Sequence, residues 1–187
     1  MNKIEPEIFD KSLGKIVFGY MPADGNDPKP EFNPYWQELA KKHNAELVYI
    51  DNSKKLNKEE LQNINRINSL SITGGNVFAL LHNLRTNGFD KIITDLFKKD
   101  NFIYSGFSAG AVIVTPDIRI ASKNHNWSFG YDENNVNIKD TKALSLVDFE
   151  ILPHYTKADE ANLAKYQEKY SVKVKPIADD KYLIVEI

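Results

Sequence analysis

The stretch "YSGFSAGAVIVTPDI", residues 104–118, sets one serine, Ser108, between Gly106 and Gly110, directly after a run that reads as a strand. Gly-x-Ser-x-Gly is short, and roughly one chain of this length in fifteen or twenty carries it by chance. Its setting is more specific. Glycines on both sides of a serine permit a strained strand-to-helix turn that lifts Oγ above a sheet. The helix that follows directs free backbone N–H groups toward that oxygen. A tight structural turn that needs glycine for packing is the competing reading, and the pattern alone leaves both open.

Working outward, apolar runs alternate with helical patterns. "KIVFGY" (15–20), "AELVYID" (45–51), "LSIT" (70–73) and "FIYSG" (102–106) read as buried strands. Helices are expected over 34–43, with Asn33 as N-cap and Pro34 at N1, and over 57–67, where Asn57 and Glu60 form a capping box. Further helices are expected over 76–87, 88–99 and 158–170. This alternation predicts an α/β fold: a mostly parallel sheet flanked by helices on both faces. A strand is expected around 146–151, and two more, "VKVKPI" and "YLIVEI", on either side of the turn Ala178-Asp179-Asp180-Lys181. The proline-rich 21–34 reads as a loop and the polar 120–145 as an excursion without periodicity. No repeat or linker divides the 187 residues, so a single domain over 1–187 is expected.

Composition is that of a soluble globular protein, with 42% hydrophobic and 27% charged residues and a mean hydropathy of -0.45. A net charge of -2 and a pI near 6.1 argue against nucleic acid as the main partner. The absence of cysteine removes disulfides, thiolate metal sites and a cysteine nucleophile. A polar N-terminus and the lack of a long apolar run lead to the expectation of a cytoplasmic protein without a membrane partner. The sequon Asn126-Trp127-Ser128 is then a chance match.

A nucleophilic serine needs a base, and there are four histidines, His43, His82, His125 and His154. His154, in "FEILPHYT", follows a buried strand and the proline that ends it, on the edge where Ser108 should emerge. Gly74-Gly75, after the third strand, could bring N–H groups over the sheet to form an oxyanion hole with Ala109 N–H. The neighbouring Asn76 is a candidate for substrate contact; its competing role is to cap a helix. Among the acids after His154, Asp179 and Asp180 occupy a turn able to hold an imidazole, and the residues themselves leave the two open. No His or carboxylate cluster has metal-ligand spacing, and no cofactor is expected.

"SITGGNVFALL", "YSGFSAGAVIVTPDI" and "FEILPHYT", in this order and spacing, resemble the S51 serine peptidases, the family of aspartyl dipeptidase and cyanophycinase. The resemblance runs from about Lys15 to the C-terminus. It implies a class I glutamine amidotransferase-like (flavodoxin-like) architecture, a nucleophile at Ser108, a base at His154 and an oxyanion hole from Gly75 and Ala109. It also selects Asp179, three residues ahead of Tyr182, as the triad acid. Members resembling aspartyl dipeptidase read an acidic P1 side chain with an arginine beyond the catalytic histidine. Here Arg66, Arg85 and Arg119 all precede His154, which leaves a lysine such as Lys157 as the substitute.

The expected function is a serine-type, dipeptidase-like hydrolase acting on small peptides, with a homodimer as the expected assembly. The alternatives are a catalytically silent domain that binds a peptide or metabolite, and an α/β-hydrolase-type esterase.

Overall fold

Four parallel strands carry the site, and their burial explains their composition. In a computed structural model, which describes residues 5–10, 14–23, 34–123 and 127–187, the sheet has the order β2-β1-β3-β4. The strands are β1 (Val17–Met21), β2 (Glu46–Tyr49), β3 (Ser69–Ile72) and β4 (Ile103–Gly106). The expected Asn33 cap, His125, Asn126 and most of the proline-rich loop lie outside the described residues.

Every residue of β1 is buried because both faces of the sheet are covered. Val17 and Met21 pack with Leu70 and Ile72 beneath α4 (Val77–Asn87) and α5 (Phe89–Leu96). Phe18 and Tyr20 point the other way, onto Trp36 and Leu39 of α2 (Pro34–Lys42) and Ile8 of α1 (Glu5–Ile8). Burying each large apolar side chain contributes about 1.5–3 kcal/mol. On that second face β3 carries serines, and each is satisfied. Ser69 Oγ donates to the Ile8 carbonyl at 2.8 Å, and Ser105 Oγ bonds Ser71 Oγ at 2.9 Å. The expected capping box forms at α3 (Lys58–Ile64), with Asn57 accepting from Glu60 N–H at 2.9 Å and Glu60 from Asn57 N–H at 2.8 Å.

Register then positions the site. Ile72 and Gly106 are partners at the carboxyl ends of neighbouring strands, so the Gly74-Gly75 loop and Ser108 leave the sheet side by side. A second parallel pair, β5 (Glu150–Leu152) with β6 (Val174–Pro176), matches Leu152 to Pro176. Beyond that shared end the chain continues to His154 on one side and Asp179 on the other, and Tyr155 N–H donates to the Ile177 carbonyl at 3.1 Å. The short helix α6 (Ala109–Val112) packs against β3, β4 and β5, while α7 (Glu160–Tyr170) joins β5 to β6.

One strand expected from the sequence is absent. Residues 182–187 form no ladder, and Tyr182, Ile184 and Ile187 are 47%, 59% and 75% exposed. The apolar, β-branched run meets the side-chain preference of a strand, but a strand also needs a neighbour for its backbone groups. Glu186 therefore lies in an irregular tail, not inside a strand, and the strand expected at 146–151 begins at Glu150.

Candidate active site

Ser108 takes φ +50° and ψ −109°, a backbone conformation that side-chain-bearing residues rarely adopt. Its two glycines are needed for close approach. A Cβ on Gly106 would overlap the Gly110 carbonyl, and one on Gly110 would overlap the Ile72 carbonyl oxygen. Gly110 N–H donates to the carbonyls of Phe107 and Thr73, and the buried phenol of Tyr104 donates to the Gly110 carbonyl at 2.5 Å. Burial pushes the Tyr104 phenol pKa well up, so it remains a donor. The elbow is thus braced from three sides.

His154 also has positive φ, +56°, just past Pro153. Its Nε2 is 2.8 Å from Ser108 Oγ, and its Nδ1 is 2.6 Å from Asp179 Oδ1. The side chains of His154 and Asp179 are 53% and 78% exposed. Among the described residues, the other histidines and the neighbouring acids stand apart from this series. His43 bonds Glu5 at 2.6 Å and stacks on Phe9, and His82 is exposed on α4. Asp159 receives Thr156 N–H and Oγ1, and Asp180 pairs with Lys181 at 3.2 Å.

Gly74 lies against the serine: a Cβ there would stand 3.4 Å from Ser108 Cβ. The adjacent Gly75 has φ +150°. Ala109 N–H, the first of α6, has no partner within its own helix turn. Asn76 uses its whole amide structurally. Oδ1 accepts from Phe78 and Ala79 N–H, both at 3.0 Å, and Nδ2 donates to the Glu133 carbonyl at 2.9 Å. A substrate contact through this side chain would have to compete with the cap.

The polar excursion contributes a residue that sequence reasoning did not find. Tyr131 meets the His154 ring edge to face, with centroids 5.8 Å apart and planes at 89°. Burial, and secondarily the Asp132 charge, push its phenol pKa well up. A cleft of about 1260 Å³ opens at Ser108, His154 and Asp179, walled by Phe97, Phe102, Tyr104, Phe107 and Phe149 with Lys99 and Lys181. None of the three arginines lines it. Arg66 pairs with Glu46 at 2.6 Å, Arg85 with Asp140 at 3.1 Å, and Arg119 with Asp117 at 2.5 Å.

A serine, histidine and carboxylate in hydrogen-bonded series on a strand-to-helix elbow is the arrangement of a nucleophilic hydrolase. Residues 25–186 match peptidase family S51, and the chain belongs to that family. An uncharacterized peptidase of Listeria monocytogenes, Lmo0363, is 40% identical over 84 residues, 45% of this chain and 38% of that one. An uncharacterized peptidase of Listeria innocua, Lin0382, is 34% identical over 119 residues, 61% of this chain and 53% of that one. Peptidase E of Escherichia coli is 36% identical over 87 residues, 46% of this chain and 34% of that one. The matched stretches thus span between a third and about half of these relatives' lengths. A crystal structure of a candidate peptidase E from Listeria monocytogenes EGD-e superposes with TM-score 0.69 at 25% identity, covering 95% of this chain and 84% of that one. A peptidase structure from an acI-B1 Actinobacterium gives 0.60 at 15% identity, over 94% and 73%. The class I glutamine amidotransferase-like, flavodoxin-like α/β class expected from the sequence holds. Among the described residues no helix is long and apolar enough to cross a membrane.

Proposed function

We propose that the protein is a serine peptidase of S51 type that cleaves small peptides, with Ser108 as nucleophile, His154 as base and Asp179 as orienting acid. The observation that carries this reading is the unbroken series Ser108 Oγ–His154 Nε2 at 2.8 Å and His154 Nδ1–Asp179 Oδ1 at 2.6 Å. Asp179 accepts from Nδ1–H, which fixes the tautomer with a bare Nε2 facing the serine. Ser108 Oγ attacks the peptide carbonyl as its proton passes to Nε2. The resulting oxyanion is held by the backbone N–H groups of Gly75 and Ala109. The imidazolium then gives its proton to the leaving amine, and water, deprotonated by the same nitrogen, releases the acyl group.

Preference for short peptides draws support from a cleft of about 1260 Å³ at the triad, close to the size range of small-ligand sites. With every arginine engaged away from the cleft, an acidic P1 side chain would be met only by lysine, a point charge without the bidentate fork. A fluorophosphonate probe and a dipeptide library, each run beside Ser108→Ala, test the reading. Labelling and turnover that vanish in the variant support it. A protein that neither labels nor turns over any dipeptide is the silent binding domain instead, and cleavage of long unstructured chains as fast as dipeptides would sink the size preference.

A further inference from the structure

We propose that Tyr131 is a further catalytic residue, whose phenol O–H donates to the negative charge that develops at Ser108 Oγ and the scissile carbonyl. This rests on the serine peptidase reading above. Three independent observations converge on it. The Tyr131 ring packs edge to face on His154, which sets its orientation relative to the base. Ser108 is the side chain that offsets the effect of burial on the Tyr131 phenol, as a hydrogen-bonding neighbour does. Yet that phenol oxygen is buried and makes no hydrogen bond of normal geometry among the described residues.

A buried hydroxyl without a partner is costly to keep, and native structures rarely keep one without a use. Here the use is timed. In the resting enzyme the Ser108 proton is directed to His154 Nε2, and the Tyr131 phenol makes only a weak contact with the Ser108 oxygen, short of a hydrogen bond of normal geometry. Once that proton moves, charge appears next to the idle donor. An interaction absent in the ground state and present in the transition state accelerates the chemical step and leaves binding unaffected. The phenol keeps its own proton throughout, and its burial, which disfavours phenolate, keeps it a donor at any working pH.

The segment is anchored as a positioned donor must be. Tyr131 and Asp132 N–H both donate to the Ala121 carbonyl, at 3.0 and 2.8 Å, and Lys123 N–H donates to the Asp132 carbonyl at 3.0 Å. Asp132 Oδ2 accepts from Val77 N–H at 2.8 Å, and the Glu133 carbonyl accepts from Asn76 Nδ2 at 2.9 Å. One stretch of the excursion therefore fixes Tyr131 and also the start of α4, directly after the Gly74-Gly75 loop.

The test compares the fluorophosphonate labelling rates of wild type, Tyr131→Phe and Ser108→Ala. Phenylalanine keeps the ring on His154 and removes only the unpartnered oxygen, so the melting temperature should not fall. Labelling by Tyr131→Phe should slow about 100-fold, as on removal of one oxyanion donor. Phenylboronic acid, which forms a tetrahedral serine adduct, should lose affinity by a comparable factor, a readout that mere packing would not move. If Tyr131→Phe does not fold, 3-fluorotyrosine at position 131 keeps ring and hydroxyl but strengthens the donor, and labelling should accelerate. Equal labelling and boronate affinity in Tyr131→Phe and wild type, or an unchanged rate with 3-fluorotyrosine, overturns the proposal. A wild type that labels no faster than Ser108→Ala overturns the peptidase reading, and this one with it.

Discussion

Ser108 and His154 face each other at 2.8 Å, and both hold positive φ, +50° and +56°. Two side-chain-bearing residues in a disfavoured backbone region cost about 1–3 kcal/mol each, and such strain persists where surrounding structure imposes it. The elbow does so through its glycines and the Tyr104 brace. Ser108→Ala should therefore abolish hydrolysis and leave the melting temperature near that of wild type. Ser108→Gly should be equally inactive yet melt higher, because glycine adopts positive φ freely. A gain of about 1 kcal/mol is worth roughly 2–4 °C in a chain of this size. Circular dichroism melts check both variants, and an unfolded Ser108→Ala would turn the motif into a structural turn.

Gly110→Ala probes the same elbow from beneath. The new Cβ would meet the Ile72 carbonyl, which is part of the β3 backbone and cannot move aside alone. We expect destabilisation of at least about 3 kcal/mol, the upper range for overpacking, or failure to accumulate soluble protein. A near-wild-type melting temperature would show that the elbow and β3 can separate.

How much of this was legible in the sequence depends on how local each cause is. The elbow was legible because Gly106 and Gly110 encode a close approach within a few residues. His154 could be found because Pro153 marks the end of a strand at the rim where sites collect. Asp179 is less so: turn chemistry suits Asp180 equally, and only the family resemblance separates them. Tyr131 was hidden, since the His154 ring it packs on is distant in sequence and its segment has no periodicity. The run 182–187 misled for the opposite reason. Its alternation and β-branching satisfy the local rule for a strand, whereas pairing depends on a neighbouring edge that no local pattern records.

Glu150 supplies a test through pH. It is 1% exposed, its Oε2 accepts from the Tyr166 phenol at 2.6 Å, and its Oε1 lies 3.9 Å from Arg119 Nε. Burial raises its pKa above the ordinary glutamate value, outweighing the opposing influence of Tyr166 and Arg119. The folded protein thus binds this proton more tightly than the unfolded chain. The stabilisation is complete below the ordinary glutamate pKa and is lost as pH rises through the raised one. Glutamine cannot ionise, so the stability of Glu150→Gln relative to wild type should improve as pH climbs from about 4 toward 8. Melts across that window check it, and a difference moving steadily toward wild type would mean that Arg119 stabilises the charge more than burial penalises it.

The proposed role of triad acid separates Asp179 from Asp180, neighbours in one turn. Asp179 Oδ1 stands 2.6 Å from His154 Nδ1, whereas Asp180 Oδ2 lies 3.2 Å from Lys181 Nζ. Asparagine at 179 could turn its amide toward Nδ1 and donate, which would leave the proton on Nε2 and make that nitrogen useless as a base. In a buried triad this change costs about 10⁴ in kcat. Asp179 is 78% exposed, and water screens its charge and can replace part of its hydrogen bond. A loss of about 10²- to 10³-fold in kcat is therefore expected for Asp179→Asn, with KM little changed because the carboxylate acts through His154. Asp180→Asn removes a surface ion pair, worth at most about 1 kcal/mol to stability, and should change kcat less than about threefold. Steady-state kinetics on both variants decide the matter. A reversed order transfers the role to Asp180, and two mild effects would leave Ser108 and His154 working as a dyad.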